Sequence, residues 1–142
     1  MSIDQRTRMF KDMTFIPTER VVDEVFAAAL AAHGDLAGRG VSAAEARPLG
    51  FHVGEHEFTL REVSGRLSLE SGLAHAEVVA ELDEAALSDL IQDSQSTTGL
   101  AMTARVRITR GKMDDLMRWE PVLRAMLDGR RVYEAGDVTF LD

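Results

Sequence analysis

The sequence predicts an α+β domain in which a largely antiparallel sheet is covered by helices. Three observations carry that prediction. Between Ala104 and Thr109, apolar and polar residues alternate, Gly111 cuts the run, and a helical apolar pattern follows at once. Alternation at period two marks a strand with one buried face, and the switch to a period of three to four marks a helix packed on it. From Phe51 to Leu82 the pattern is also alternating, and Val21 to Leu30 carries a helical stripe.

Taken in order, residues 1–17 mix charge with isolated apolar side chains (Met9, Phe10, Met13, Phe15 and Ile16) and read as an N-terminal arm. Residues 18–142 read as a single domain, which suits a chain of 142 residues. Pro17 and Thr18 open a helix in which Thr18 caps and Glu19 suits the first turn. Val21, Val22, Val25, Phe26, Ala29 and Leu30 form its broad apolar stripe, with an end expected near His33-Gly34. Residues 34–48 read as a loop holding a short helical turn at 42–46.

Three strands are predicted at 57–63, 66–70 and 74–82, joined by Ser64-Gly65 and Ser71-Gly72 as hairpins. Phe58, Leu60, Leu67, Leu69, Ala76, Val78, Ala80 and Leu82 share the core face. Arg61, Arg66, Ser68, Glu70, His75, Glu77 and Glu81 face out, so one side of the sheet is wet. Asp83 or its neighbour caps a helix running to about Gln92, and 92–98 reads as a polar loop. A strand at 103–109 follows. Pro121 then interrupts the last helical region, because proline removes a hydrogen bond and clashes with the preceding turn. Gly129 closes that region, and 132–133 with 138–141 either add a last strand or lie along the surface.

Composition excludes several function classes. There is no cysteine, hence no disulfide, zinc thiolate or cysteine nucleophile. Acidic residues outnumber basic ones 24 to 16, a net charge of −8. That balance opposes phosphate-backbone binding, so no nucleic-acid partner is expected. No apolar run reaches the ~18–20 residues of a membrane span. The stretch MSIDQRTRMFKDM lacks the apolar core of a secretory signal, and a soluble cytoplasmic protein is expected.

No catalytic motif is present. There is no G-x-S-x-G elbow and no HExxH, and Ser94–Gly99 lacks the glycine and lysine spacing of a phosphate loop. Asp114-Asp115 suits a helix start. His52 and His56 lie four apart with Gly54 turning the chain between them, and His75 and Glu77 lie on an outward face. None of these brings the three or four converging ligands that zinc needs, so neither a metal nor another cofactor is expected. Arg105 and Arg107 face outward and are expected to pair with acidic neighbours across the sheet.

The order helix, three hairpin-linked strands, helix, polar loop, strand, glycine, helix resembles the sterol carrier protein, or non-specific lipid transfer, superfamily. Two stretches carry the resemblance. One is Val78 to Leu90, a strand ending in an acidic helix start. The other is Arg105 to Gly111, leading into Leu116, Leu123 and Met126. Lys112 stands where that family often has an acidic residue. The resemblance covers about residues 50–130 and, more loosely, the N-terminal helix.

It implies a five-stranded sheet with helices packed on one face, around an apolar tunnel, and no obligatory chemistry. Leu116, Trp119, Leu123, Met126 and Leu127 fit one helix face. By periodicity alone that face is core, whereas under the resemblance it becomes a cavity wall. Phe58, Leu60 and Leu90 then belong to the ligand site, with Leu100 and Met102 closing one end. Methionine suits an irregular apolar ligand because it is flexible. The expected function is non-catalytic binding of an apolar small molecule: a fatty acyl chain, a lipid or a sterol-like compound. The alternative is an accessory domain with a filled core that associates with itself as a homodimer, or with a partner enzyme.

Overall fold

The computed structural model describes residues 14–132. Most of the expected arm, residues 1–13, and the expected last strand at 138–141 lie outside the described residues. A continuous helical stretch comes first: α1 (Thr18–Arg20), a π-helical segment (Val21–Phe26) and α2 (Ala27–Ala44). The expected stop at His33-Gly34 and the expected loop at 34–48 are thereby corrected. Here the glycines are packing positions. A Cβ at Gly38 would stand 2.3 Å from the Gly65 carbonyl oxygen, and one at Gly34 would stand 2.9 Å from the Arg66 guanidinium carbon. Side chains at those positions would hold the helix off the sheet. Arg66 closes the contact, donating to the Leu30 carbonyl at 2.6 Å and pairing with Asp35 at 2.8 Å. The helix ends where Glu45 turns left-handed, with φ 53°.

Five strands follow: β1 (Leu49–Val53), β2 (His56–Val63), β3 (Arg66–Ser71), β4 (Val78–Leu82) and β5 (Val106–Arg110). They lie in the order β3-β2-β1-β4-β5, antiparallel except for the parallel pair β1 and β4. The architecture is thus the expected α+β sheet, mixed but mostly antiparallel. Ser64-Gly65 closes a hairpin with both residues at positive φ, as expected.

Three details differ from the sequence reading. β1 is an additional strand, hidden because Gly50 breaks its alternation. Ser71-Gly72 closes no hairpin, because residues 72–77 instead cross the outer face of the sheet and deliver β4 beside β1. Ala76 therefore leaves the core face. It sits with Leu73 over Gly50, where a Cβ would come within 2.8 Å of Ala76 and 2.6 Å of Leu73. Thr59 anchors the crossing by donating its hydroxyl to the Gly72 carbonyl at 2.7 Å.

The remaining helices are α3 (Glu84–Ile91), α4 (Thr97–Met102), α5 (Met113–Met117) and α6 (Trp119–Asp128). Asp83 caps α3 as expected, accepting from the Ala86 N–H at 2.8 Å. α4 replaces the end of the expected loop, since Ser96 accepts from the Gly99 N–H at 2.9 Å and nucleates it. Left-handed Ala104 then delays β5 to Val106. The last helical region breaks at Arg118, before Pro121. Pro121 lies in the first turn of α6, where its missing N–H would have no helical partner anyway. Gly129 closes α6 at φ 72°.

All helices that touch the core lie against one face of the sheet. Leu49, Phe51, Phe58, Leu60, Val78, Ala80 and Val106 face Phe26, Leu87, Leu116 and Trp119 across it. Phe58 stacks on Phe51 at 5.2 Å and meets Phe26 edge-on at 5.9 Å. On the opposite face Arg61 pairs with Glu70 at 2.9 Å, and Arg107 with Glu81 at 3.0 Å.

The helix–turn contact yields a prediction. In an open helix Gly→Ala stabilises by about 1 kcal/mol. Gly38→Ala meets backbone it cannot displace cheaply, so a net loss of roughly 1–3 kcal/mol is expected in urea unfolding.

Candidate functional site

Residues 14–18 run along α3, held by a ladder of polar side chains. Glu84, Ser88 and Gln92 are spaced four apart and so share one face of the helix. They engage every second residue of the extended segment. Thr18 N–H donates to Glu84 Oε1 at 3.0 Å and Ile16 N–H to Ser88 Oγ at 2.9 Å. Gln92 Nε2 donates to the Thr14 carbonyl at 2.8 Å and to Ser88 Oγ at 3.0 Å. Period four on a helix thereby meets period two on an extended chain. The Thr18 backbone N–H holds the Glu84 carboxyl below the ordinary carboxylate range.

This segment is one wall of a cleft of about 490 Å³. Across from it stand Val25, Ala28, Ala29, Ala32 and His33 of the long helix, with Ile91, Gln92 and Leu127 completing the lining. The alanines make the room, since each stops at Cβ. The polar side chains of the lining are Thr14, Arg20, His33 and Gln92. Arg20 is paired with Glu24 at 3.0 Å, and the Asp128–Arg130 pair at 2.9 Å lies beyond Leu127. A smaller groove of about 270 Å³ lies on the other side of the π-helical segment, lined by Val22, Phe58 and Leu69 among acidic neighbours.

The nine residues the sequence nominated separate into three groups. Phe58 lines the smaller groove. Leu60, Leu90, Leu100, Leu116, Trp119, Leu123 and Met126 come together in the core, each 0–1% exposed, and line neither cavity. Trp119 also donates Nε1–H to the Arg47 carbonyl at 2.7 Å. Met102, at the end of α4, is 81% exposed and lines neither cavity. α4 turns it outward because Leu100, two residues earlier, occupies the buried side.

The cleft residues escaped nomination although a signal existed. The stripe on the first helix is wider than one sheet contact needs, and Val25 and Ala29 on its flank face the cleft. Nothing in the sequence marks Gln92 as their neighbour. The outward arginines pair as expected in kind. Arg107 meets Glu81, its register partner, whereas Arg105 reaches Asp89 of α3 at 2.9 Å. His52 sits 3.5 Å from Glu81. Among the described residues no group of three or more His, Asp or Glu side chains could hold a metal ion, and no helix is long and apolar enough to cross a membrane.

A five-stranded sheet in this order, with helices on one face and a parallel central pair, is the sterol carrier protein 2 fold. Solved structures of other proteins share it. Sterol carrier protein 2 from Yarrowia lipolytica, in its apo form, superposes with a TM-score of 0.62 at 14% identity, over 78% of this chain and 93% of that one. UbiJ-SCP2, a ubiquinone synthesis protein, gives 0.54 at 13% identity, over 78% and 99%. Another sterol carrier protein 2 gives 0.53 at 14% identity, over 72% and 91%. The likeness is one of fold. No family model matches the sequence, and no curated protein does.

The ladder predicts an acid response. A carboxyl whose folded pKa is depressed contributes stability that is present above its unfolded value of about 4.3 and lost as pH falls through the folded value. Glu84→Gln should therefore flatten part of the fall in urea midpoint between neutral pH and about pH 3. An unchanged acid slope would place the dependence elsewhere.

Proposed function

We propose that the chain is a non-catalytic binder of an apolar ligand, of the fatty acyl, lipid or sterol-like class, held in the cleft between α2, the end of α3 and residues 14–17. One observation carries this reading. The cleft offers about 490 Å³ behind an apolar wall of Ile16, Val25, Ala28, Ala29, Ile91 and Leu127. Small-molecule sites typically occupy about 300–1,000 Å³. Burying apolar ligand surface supplies roughly 25 cal/mol per Å², less the cost of immobilising both partners. The fold shared with sterol carrier protein 2 structures supports the reading. We place the ligand here rather than beneath Trp119 because the side chains there already pack against one another.

That filled core also favours a second reading, an accessory domain, and the likeness to a ubiquinone synthesis protein is compatible with it. The two readings differ in what copurifies. Native mass spectrometry of freshly purified protein should show an adduct that extracts as a lipid. Ala29→Phe, which fills the cleft, should lose that adduct at least tenfold while keeping the unfolding midpoint. A clean apo mass in a protein that also refuses added fatty acids and sterols would leave the accessory reading.

A further inference from the structure

The segment that walls the cleft changes character at Pro17. Thr14, Phe15 and Pro17 are exposed and Ile16 is half-buried, whereas Thr18 is fully buried. From Pro17 onward the chain is tied in twice. Thr18 N–H donates to Glu84 Oε1, and the Pro17 carbonyl accepts from the Val21 N–H at 3.0 Å. Ahead of Pro17, among the described residues, the hydrogen bonds to α3 run from the Ile16 N–H to Ser88 and from Gln92 to the Thr14 carbonyl.

Releasing those two rungs leaves no helix donor stranded. Gln92 Nε2 has a second acceptor, Ser88 Oγ at 3.0 Å on its own helix, and keeps it when the Thr14 carbonyl leaves. Ser88 Oγ in turn keeps the Gln92 amide when the Ile16 N–H leaves. The freed N–H and carbonyl of the segment turn to water. Pro17 restricts Ile16 to extended backbone, so the free segment keeps much of its bound shape and little chain entropy opposes its return. The other walls of the cleft come from helices, whose backbone is bonded internally.

Ile16 is what a filled cleft changes. Its side chain lines the cleft and is only half-buried, so an apolar occupant covers more of it and favours the closed arrangement. We infer that residues 14–16 are a strap that closes on the occupant of the cleft: hinged at Pro17 and Thr18, it opens from Ser88 and Gln92 while the cleft is empty and is held shut when an apolar molecule fills it. This inference rests on the cleft being the ligand site, and it adds the part of the fold that responds to the ligand.

Amide hydrogen exchange, followed by NMR on the full chain, tests it. Without ligand, the Ile16 amide should exchange at least about a hundredfold faster than the amides of β4, at a rate that hardly changes in urea below the unfolding transition. Thr18 should exchange more slowly than Ile16, which marks the hinge. With tetradecanoate or cholesterol, whichever the protein binds more tightly, at about ten times its Kd, Ile16 should slow about tenfold, because the open strap does not hold the ligand. An Ile16 amide that exchanges together with β4 would overturn the strap and leave the cleft reading standing. So would a bound probe that leaves the Ile16 rate unchanged. Refusal of both probes would overturn the cleft reading and this inference together.

Discussion

The long helix is seated on the β2–β3 turn, where Gly38 lies against the Gly65 carbonyl. With no Cβ between them, backbone meets backbone and the helix axis is fixed relative to the sheet. Other placements follow from that seat. Arg66, from the strand after the turn, reaches helix carbonyls only because Gly34 leaves its guanidinium room. α6 docks against the same helix further along, with His33 packed over Gly129. Because one flank of the helix is committed to the sheet and to α6, the opposite flank is left to face the end of α3 across a gap. The cleft is what the seated helix does not cover.

How far the sequence disclosed this depends on which physical signal each residue carries. Asp83 was legible because a cap is a local interaction: the side chain and the N–H it satisfies lie three residues apart. The Ser64-Gly65 hairpin was legible for the same reason. Gly34 and Gly38 were not, since a glycine that ends a helix and one that lets a helix approach a turn look the same until the turn is in place. β1 was hidden by a similar ambiguity. Gly50 weakens its pattern because a crossing segment from beyond β3 lies over it, a contact made by residues more than twenty positions away. Pro121 was read correctly as a constraint but put at the wrong point of the helix. Proline is forbidden in the interior and tolerated in the first turn, and the sequence does not say which turn comes first.

The candidate site divides along the same line. A helical stripe of Leu116, Trp119, Leu123 and Met126 announces burial, and burial is what the structure delivers. Periodicity cannot distinguish a side chain covered by protein from one waiting to be covered by a ligand. The cleft is marked instead by small residues on one flank, Ala28, Ala29 and Ala32, which in sequence look like good helix formers and nothing more. Gln92 is still less conspicuous, a polar residue at the end of a helix. Its place in the lining follows from the fold, which brings the end of α3 beside the long helix and residues 14–16.

The wall that carries Gln92's anchor is also the least supported part of the site. Residues 14–17 add no strand to the sheet. Among the described residues their attachment to α3 rests on hydrogen bonds at Thr14, Ile16 and Thr18 and on the packing of Ile16. Each such bond contributes about 1 kcal/mol net, so releasing the segment costs far less than unfolding the sheet. The helix seat on the turn is untouched by such an opening, because Gly38 and Gly65 lie at the far end of α2 from the ladder. A rigid floor and a wall held by separable hydrogen bonds would let the ligand proposed above enter without disturbing the core. The Gln92 amide joins the two parts of that wall, donating to the Thr14 carbonyl and to Ser88 Oγ of its own helix.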